Sequence, residues 1–461
     1  MSVRRSAGAI FWGLILISVG GLLLANNMGY PIRIWPYVVR YWPGLLIGWG
    51  LLKFVDFFRF RRSGDNRPLF SGGEVALLIL VIFAGSAITT AANLSPEIGN
   101  IFEIGDLDLW DITGNNYTYE EHREQEPVPA GSEIEIVNLF GSVEVRPAET
   151  DHIVLDVKKT IRASDKAAAD RLDGEFTFSI RGEGLRYRIS SNRDESGFRG
   201  TPRQRFKSSL TIHVPAHSTI HLDNRNGRVV VYDLTGNQNI VNRYGEIDVR
   251  NITGDVRVEN RNGSVAVQDV IGTVGITNRY ANTTVKNAGT DLQIETRNGS
   301  VDVSGVKGNA AITNSYAPIS VENVQGQLTI SGRNNSVDLE HIEGDIQSDS
   351  SYQNVSIKDP RGAVTVTTRN GDVTLSFLRA PQKDVSVNVS YSNVTLEMPS
   401  GSAFTIEARA EHGQVDSDFD GLNTNISRSN RERNITGQVG QGGPRISITT
   451  RNGSIRLEKR G

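Results

Sequence analysis

The chain has 461 residues, 47 glycines, a hydrophobic fraction of 38% and a formal net charge of -3. That length exceeds one ordinary compact domain, and that charge excludes a dedicated nucleic-acid binder. The absence of cysteine excludes disulfides, thiol nucleophiles and Cys-based zinc or iron–sulfur sites. Strong apolar runs are almost confined to the first 92 residues, after which Val/Ile pairs alternate with Gly, Asn, Ser and Thr. The pattern predicts N-terminal transmembrane helices followed by an all-β domain.

Residues 1–92 read as a membrane anchor with apolar segments at about 7–25, 42–58 and 75–92, each close to the ~20 residues that cross a hydrocarbon core. The middle segment is short, carries Lys53 and Asp56, and extends backwards only through Arg40 and Pro43. Arg4 and Arg5 before an apolar run also suit a cleaved signal peptide, but Leu23 occupies a position where a cut after Ala25 needs a small side chain. The reading adopted is an uncleaved helix. Arg4 and Arg5 precede the first segment; Lys53, Arg59, Arg61, Arg62 and Arg67 lie between the second and third; no Lys or Arg follows the third until Arg123. Positive charge stays cytoplasmic, so this balance predicts three crossings of a bacterial inner membrane with the β domain outside, against the weaker pull of Arg33 and Arg40. Trp35, Tyr37, Tyr41 and Trp42 suit an interfacial aromatic belt. The run Gly13-Leu-Ile-Leu-Ile-Ser-Val-Gly-Gly-Leu-Leu-Leu-Ala-Asn-Asn, with Trp42-Pro-Gly-Leu-Leu-Ile-Gly-Trp-Gly-Leu-Leu, resembles the LiaI/LiaF-like transmembrane region of bacterial cell-envelope proteins. That resemblance implies no catalytic residue.

Residues 93–131 lack periodicity and carry nine acidic residues against one basic residue, Arg123. They read as an acidic, solvated linker, with a regulatory acidic segment as the alternative. Within 132–222, runs such as Ile134-Glu-Ile-Val, Val143-Glu-Val and Leu210-Thr-Ile-His-Val alternate as half-buried strands do. One helix is predicted to start near Asp165 with Ser164 as its cap. Arg193 to Lys207 forms a basic excursion, read as a surface hairpin loop, with an anion-binding loop as the alternative.

From 223 to 378 the chain repeats every 18 residues: Asn226, Tyr244, Asn262, Tyr280, Asn298, Tyr316, Asn334, Tyr352 and Asn370 occupy one turn position. A second turn recurs at Gly236, Gly254, Gly272, Gly308, Gly326, Gly344 and Gly362, with Gly289 displaced by one. Apolar columns keep the same register, for example Val229, Ile247 and Val265, then Val231, Val249 and Val267 two residues on. Units this small cannot bury such faces alone, so they must stack. The prediction is a β-solenoid of 18-residue units with a 36-residue super-period from the Asn/Tyr alternation. A coil of 18 residues would place Asn and Tyr alternately on one edge, whereas a coil of 36 would place them on opposite edges. The first β region then caps one end, and residues 379–461, with broken period and the polar insertion Asn423 to Gly443, form irregular terminal coils and the other cap. From about Gly131 to Gly461, including Phe140-Gly-Ser-Val-Glu-Val and Thr450-Arg-Asn-Gly-Ser-Ile-Arg-Leu, these columns resemble the putative-adhesin, or LiaG-like, family of bacterial β-strand-repeat proteins. The resemblance implies an extracytoplasmic β-solenoid with no established enzymology.

Catalytic signals are sparse. His213, His217 and His221 share a spacing of four, but Pro215 and Ala216 interrupt an extended cluster, and no metal ligand set or cofactor is predicted. Asp248, Asp269, Asp302 and Glu322 fall at scattered polar positions that solvation explains. Arg225, Arg243, Arg261, Arg279, Arg297, Arg333 and Arg369 form a column one residue before the Asn/Tyr turn, broken by Ser315 and Ser351. Stacked guanidinium groups would suit an anionic polymer; the competing reading is solvated turn residues partly paired with nearby carboxylates. Asn-Gly-Ser matches follow from the turn consensus and do not signal glycosylation. The functional expectation is a non-enzymatic binding or scaffold module in envelope maintenance or stress response. Its expected partners are the lipid bilayer and envelope polymers or other membrane proteins, with no nucleic acid. A polysaccharide-active β-helix enzyme and a self-assembling structural protein are the alternatives.

Overall fold

A computed structural model describes residues 115–125, 127–163, 165–193, 206–352, 354–426 and 432–460. The predicted membrane segments lie outside the described residues, among which no helix is long and apolar enough to cross a membrane. The chain divides into two compact units, the larger comprising Thr118–Thr160, Asp173–Thr201 and Phe206–Gly461. Of the smaller unit, 115–117, 161–163 and 165–172 are described.

The larger unit is built from two long, mostly parallel sheets. Val256–Asn262 shows how a coil is made. Val256 and Val258 point inward from the second sheet, the chain turns at Asn262 and Gly263, and Val265 and Val267 point inward from the strand Val265–Val270 in the first sheet. A second turn at Gly272 leads to Val274–Asn278, which lies on Val256–Asn262 in parallel, Val274 opposite Val256 and Ile276 opposite Val258. Val265–Val270 likewise lies between Ile247–Thr253 and Thr283–Ala288, so Ile247, Val265 and Thr283 stack. Like on like at the ~4.8 Å strand spacing buries Val, Ile and Leu in continuous columns.

Both turns are stitched coil to coil. At the second, the Asn237 Oδ1 accepts from the Asp255 N–H at 2.9 Å, and the Asp255 Oδ1 accepts from the Thr273 N–H at 2.8 Å, each 18 residues on. At the first, Gly263 has φ of +145°, and a Cβ there would run into the Gly245 carbonyl, so the close approach itself demands glycine.

At both ends the chain threads out of order. Ser132–Asn138 lies between Arg186–Ser191 and Ser218–Asn226 in the second sheet, while Val143–Pro147 lies between Phe206–Val214 and Val229–Thr235 in the first. At the far end Arg445–Thr450 inserts between Val385–Val389 and Phe404–Ala410, and Ile455–Arg460 between Val394–Pro399 and Val415–Ser417. Antiparallel strands finish the second sheet: Phe178–Glu183 at one end, Arg433–Val439 and Asn423–Ile426 at the other. The row is open, since no pair among the described residues joins Phe178–Glu183 to Asn423–Ile426.

Three expectations are corrected. The predicted linker contains a strand, Asn115–Gln125, at the edge of the first sheet beside Ile153–Ala163. The helix spans Lys166–Glu175, and with Ser164 outside the described residues, its cap is Asp165, whose Oδ1 accepts from the Ala168 N–H at 2.8 Å. Within the basic excursion 194–205 lies outside the described residues, but Arg193 is buried, with its guanidinium 4.2 Å from the Phe206 ring centroid and 5.2 Å from that of Phe176. The two aromatic faces engage it by cation–π contact.

Candidate functional site

The turn after each second-sheet strand has a polar inner line and a cationic outer line. On the inner side Asn224, Asn242, Asn260, Asn278 and Asn314 are buried at the end of the apolar columns. A buried amide must find partners, and here each Nδ2 reaches turn carbonyls. Asn242 donates to Gly227 and Gly245 at 2.9 and 3.3 Å, Asn260 to Gly245 and Gly263 at 3.0 and 2.9 Å, Asn314 to Gly299 and Ala317 at 2.9 and 2.8 Å. Asn242, Asn260, Asn278 and Asn314 each clip their own turn to the one beneath it. Sequence reading missed this line. Its signal was present, an Asn recurring two residues before the turn, but the turn Asn itself masked it.

One residue outward stands the arginine column. Arg243, Arg261, Arg279, Arg297, Arg333 and Arg369 are exposed and Arg225 is half-buried. None of these seven makes an ion pair among the described residues, while Asp248 pairs with Arg228 and Arg250, and Glu259 with Arg257. The close ion pairing expected of turn arginines is therefore missing from this column among the described residues. Tyr244 sits in register with both Asn226 and Asn262, which puts Asn and Tyr alternately on this one edge. Asn226, Asn262 and Asn334 are half-buried, while Asn298 and Asn370 are exposed. Tyr244 is buried at 8%, whereas Tyr280, Tyr316 and Tyr352 are 43%, 48% and 45% exposed.

A second line, also unread in the sequence, lies within the first-sheet strands. Asp233, Asn251, Asp269, Asn287, Asn323 and His341 have φ between 54° and 59°, and Gly305 takes the same position at 75°. Asn and Asp tolerate this left-handed conformation best after glycine. The kink returns the chain to the core, burying Ile252, Val270, Val306 and Val324, and leaves a groove of about 940 Å³ lined by Asn251, Asp269, Asn287, Asn323, His341 and Glu343 among others. Its polar groups largely satisfy one another: Asn251 donates to Asp233 at 2.8 Å, Asn287 to Asp269 at 2.6 Å and Asn323 to Glu322 at 3.0 Å. Asp302 is exposed on the neighbouring strand face.

The histidines are dispersed. His213 accepts from Arg146 Nε at 2.6 Å in the first sheet, His221 contacts Glu133 at 3.1 Å in the second, and His217 is exposed at the turn between. No group of three His, Asp or Glu side chains among the described residues could hold a metal ion.

Residues 132–458, more than two thirds of the chain, match the family described as Toastrack DUF4097. The chain belongs to the Toastrack family. Ahead of its Toastrack domain, residues 11–103 match the LiaF transmembrane domain. No curated protein matches the chain. Among solved structures, the Toastrack domain is similar to a "putative cell adhesion protein" of Clostridium sporogenes, at 9% identity and a TM-score of 0.17 over 75% of this chain and 100% of that one. It is also similar to a "putative adhesin" of Bacteroides fragilis, at 14% identity and a TM-score of 0.25 over 54% of this chain and 97% of that one.

Proposed function

We propose that this protein is a membrane-anchored envelope module that holds a Toastrack solenoid of 18-residue coils outside the cytoplasmic membrane and binds an anionic envelope polymer along its arginine edge. The carrying observation is that edge: seven arginines in one column, six exposed, with no carboxylate partner among the described residues. A fork of guanidinium donors suits carboxylate and phosphate alike. The LiaF transmembrane match supports the anchor, and the Lys/Arg balance around the apolar segments supports the outward solenoid. A role in envelope maintenance or stress response follows from that placement. The functional reading is of binding and scaffolding: Asp248 is engaged by two arginines and Asp269 by Asn287 and Gln268, leaving no free carboxylate pair among those two.

The test is binding of fluorescent dextran sulfate to right-side-out membrane vesicles carrying the full chain. Binding is expected on these vesicles and absent on inverted ones. It should fade as salt rises, because exposed charges are screened over ~8 Å at physiological ionic strength. Changing Arg225, Arg261 and Arg297 together to Gln should remove most of it with the β-sheet circular dichroism intact. Equal binding by the triple variant would end the arginine-edge reading, and binding confined to inverted vesicles would reverse the orientation.

A further inference from the structure

The arginine edge is not uniform along its length. From Arg225 to Arg297 every coil carries an arginine, but beyond that Ser315, Ser351 and Ser390 replace it in each coil whose turn residue is tyrosine. The result over six successive coils is Arg297, Tyr316, Arg333, Tyr352, Arg369 and Tyr391, a strict alternation of cation and ring. The three tyrosines are 48%, 45% and 51% exposed, among the few large hydrophobic side chains so open to water. The three arginines are exposed and make no ion pair among the described residues. Their backbones are immediate neighbours along the stack: the Tyr316 N–H donates to the Arg297 carbonyl and the Tyr391 N–H to the Arg369 carbonyl, each at 2.9 Å.

Coils stacked at strand spacing repeat this pattern every ~9.6 Å. A linear ligand using both groups in every repeat must present one anion and one flat, C–H-rich face at that interval. Polyphosphate and polyol-phosphate chains lack the face, because their charges are joined by flexible links with nothing to stack on a phenol. A polyuronate of acidic sugars alone carries charge at every sugar, twice as dense as these arginines. An extended polysaccharide alternating one acidic and one neutral sugar supplies both features once per disaccharide, with pyranose faces against tyrosine and carboxylates in the guanidinium forks.

We propose that the coils from Arg297 to Tyr391 form a binding strip for an extended acidic polysaccharide bearing one carboxylate per disaccharide. This rests on the anionic-polymer reading above and names its ligand class. The strip has three repeats, so affinity should climb with chain length up to about three disaccharides and then level off.

The experiment uses the full chain in detergent micelles, titrated with four probes: hyaluronan oligosaccharides, which carry one carboxylate per disaccharide, oligogalacturonates, linear polyphosphate and oligothymidylate. Hyaluronan is expected to bind tightest per charge. Changing Tyr316, Tyr352 and Tyr391 together to Ser should weaken hyaluronan at least about tenfold while leaving polyphosphate unchanged. The positions are exposed, and circular dichroism checks that the fold is kept. Wild-type affinity in the tyrosine variant, or polyphosphate or oligogalacturonate binding as tightly per charge as hyaluronan, overturns the strip. Arg225, Arg261 and Arg297 to Gln would then still weaken all anions if the broader reading stands. Preferred binding of oligothymidylate, lost in the tyrosine variant, replaces the glycan with a single-stranded nucleic acid and overturns the proposal. Failure of all four probes overturns the strip, and dextran sulfate binding then decides the broader reading.

Discussion

The inner and outer lines of one turn edge answer the same chemical problem in opposite ways. Asn260 and Arg261 are adjacent in the chain. The asparagine is 6% exposed and makes three hydrogen bonds, its Oδ1 accepting from the Arg261 N–H at 2.9 Å while its Nδ2 spans two turn carbonyls. The arginine beside it is exposed, without an ionic partner among the described residues. Repeated coil after coil, the first arrangement fixes the stack and the second leaves a row of donors free for something else. A polar residue that repeats in a solenoid is therefore not functional by repetition alone; what separates the two lines is whether neighbouring coils already satisfy it.

That contrast can be broken from the inside outward. Val267 is 1% exposed between Val249 and Val285 in a first-sheet column of the core. Val267→Asp places a charge there without a partner and should cost about 3–5 kcal/mol, read as a lowered denaturation midpoint; a small effect would mean that the column is hydrated. Asn260→Leu retains bulk but strands the Gly245 and Gly263 carbonyls. A loss of about 1–3 kcal/mol is expected in chemical denaturation, and an unchanged midpoint would show that the amide ladder contributes nothing. Smallest should be Arg261→Ala, within about 0.5 kcal/mol of the parent. A cost for Arg261→Ala matching that of Asn260→Leu would erase the distinction between the two lines.

Much of the stack was legible because its core columns obey the two-residue period of a strand. Val229 and Val231, or Val265 and Val267, are inward exactly where alternation puts them. Alternation fails at the next inward residue. Val267 and Val270 are three apart yet both buried, which a continuous strand forbids; the left-handed Asp269, at φ 55°, resets the parity. Residues at 233, 251, 269 and 287 alternate Asp with Asn before an aliphatic or Ala residue, a readable signal once the kink is known. The arginine column was visible as a pattern, but its lack of ion pairs among the described residues depends on side-chain placement, which no spacing reveals. The exposure of Tyr316 against the burial of Tyr244 was equally hidden, since both occupy the same turn position. Threading at the ends escaped entirely. Coils of interchangeable Val and Ile carry no mark of which one lies on which.

A repeat array ordinarily loosens from its ends one unit at a time, because the last unit has a single neighbour. Here the last strand of the chain, Ile455–Arg460, is held on both sides, by Val394–Pro399 and Val415–Ser417, and its companion Arg445–Thr450 is held by Val385–Val389 and Phe404–Ala410. Ile455–Arg460 therefore lies inside the first sheet and not at the edge of the stack. A load pulling along Ile455–Arg460 strains two ladders in shear at once instead of peeling one.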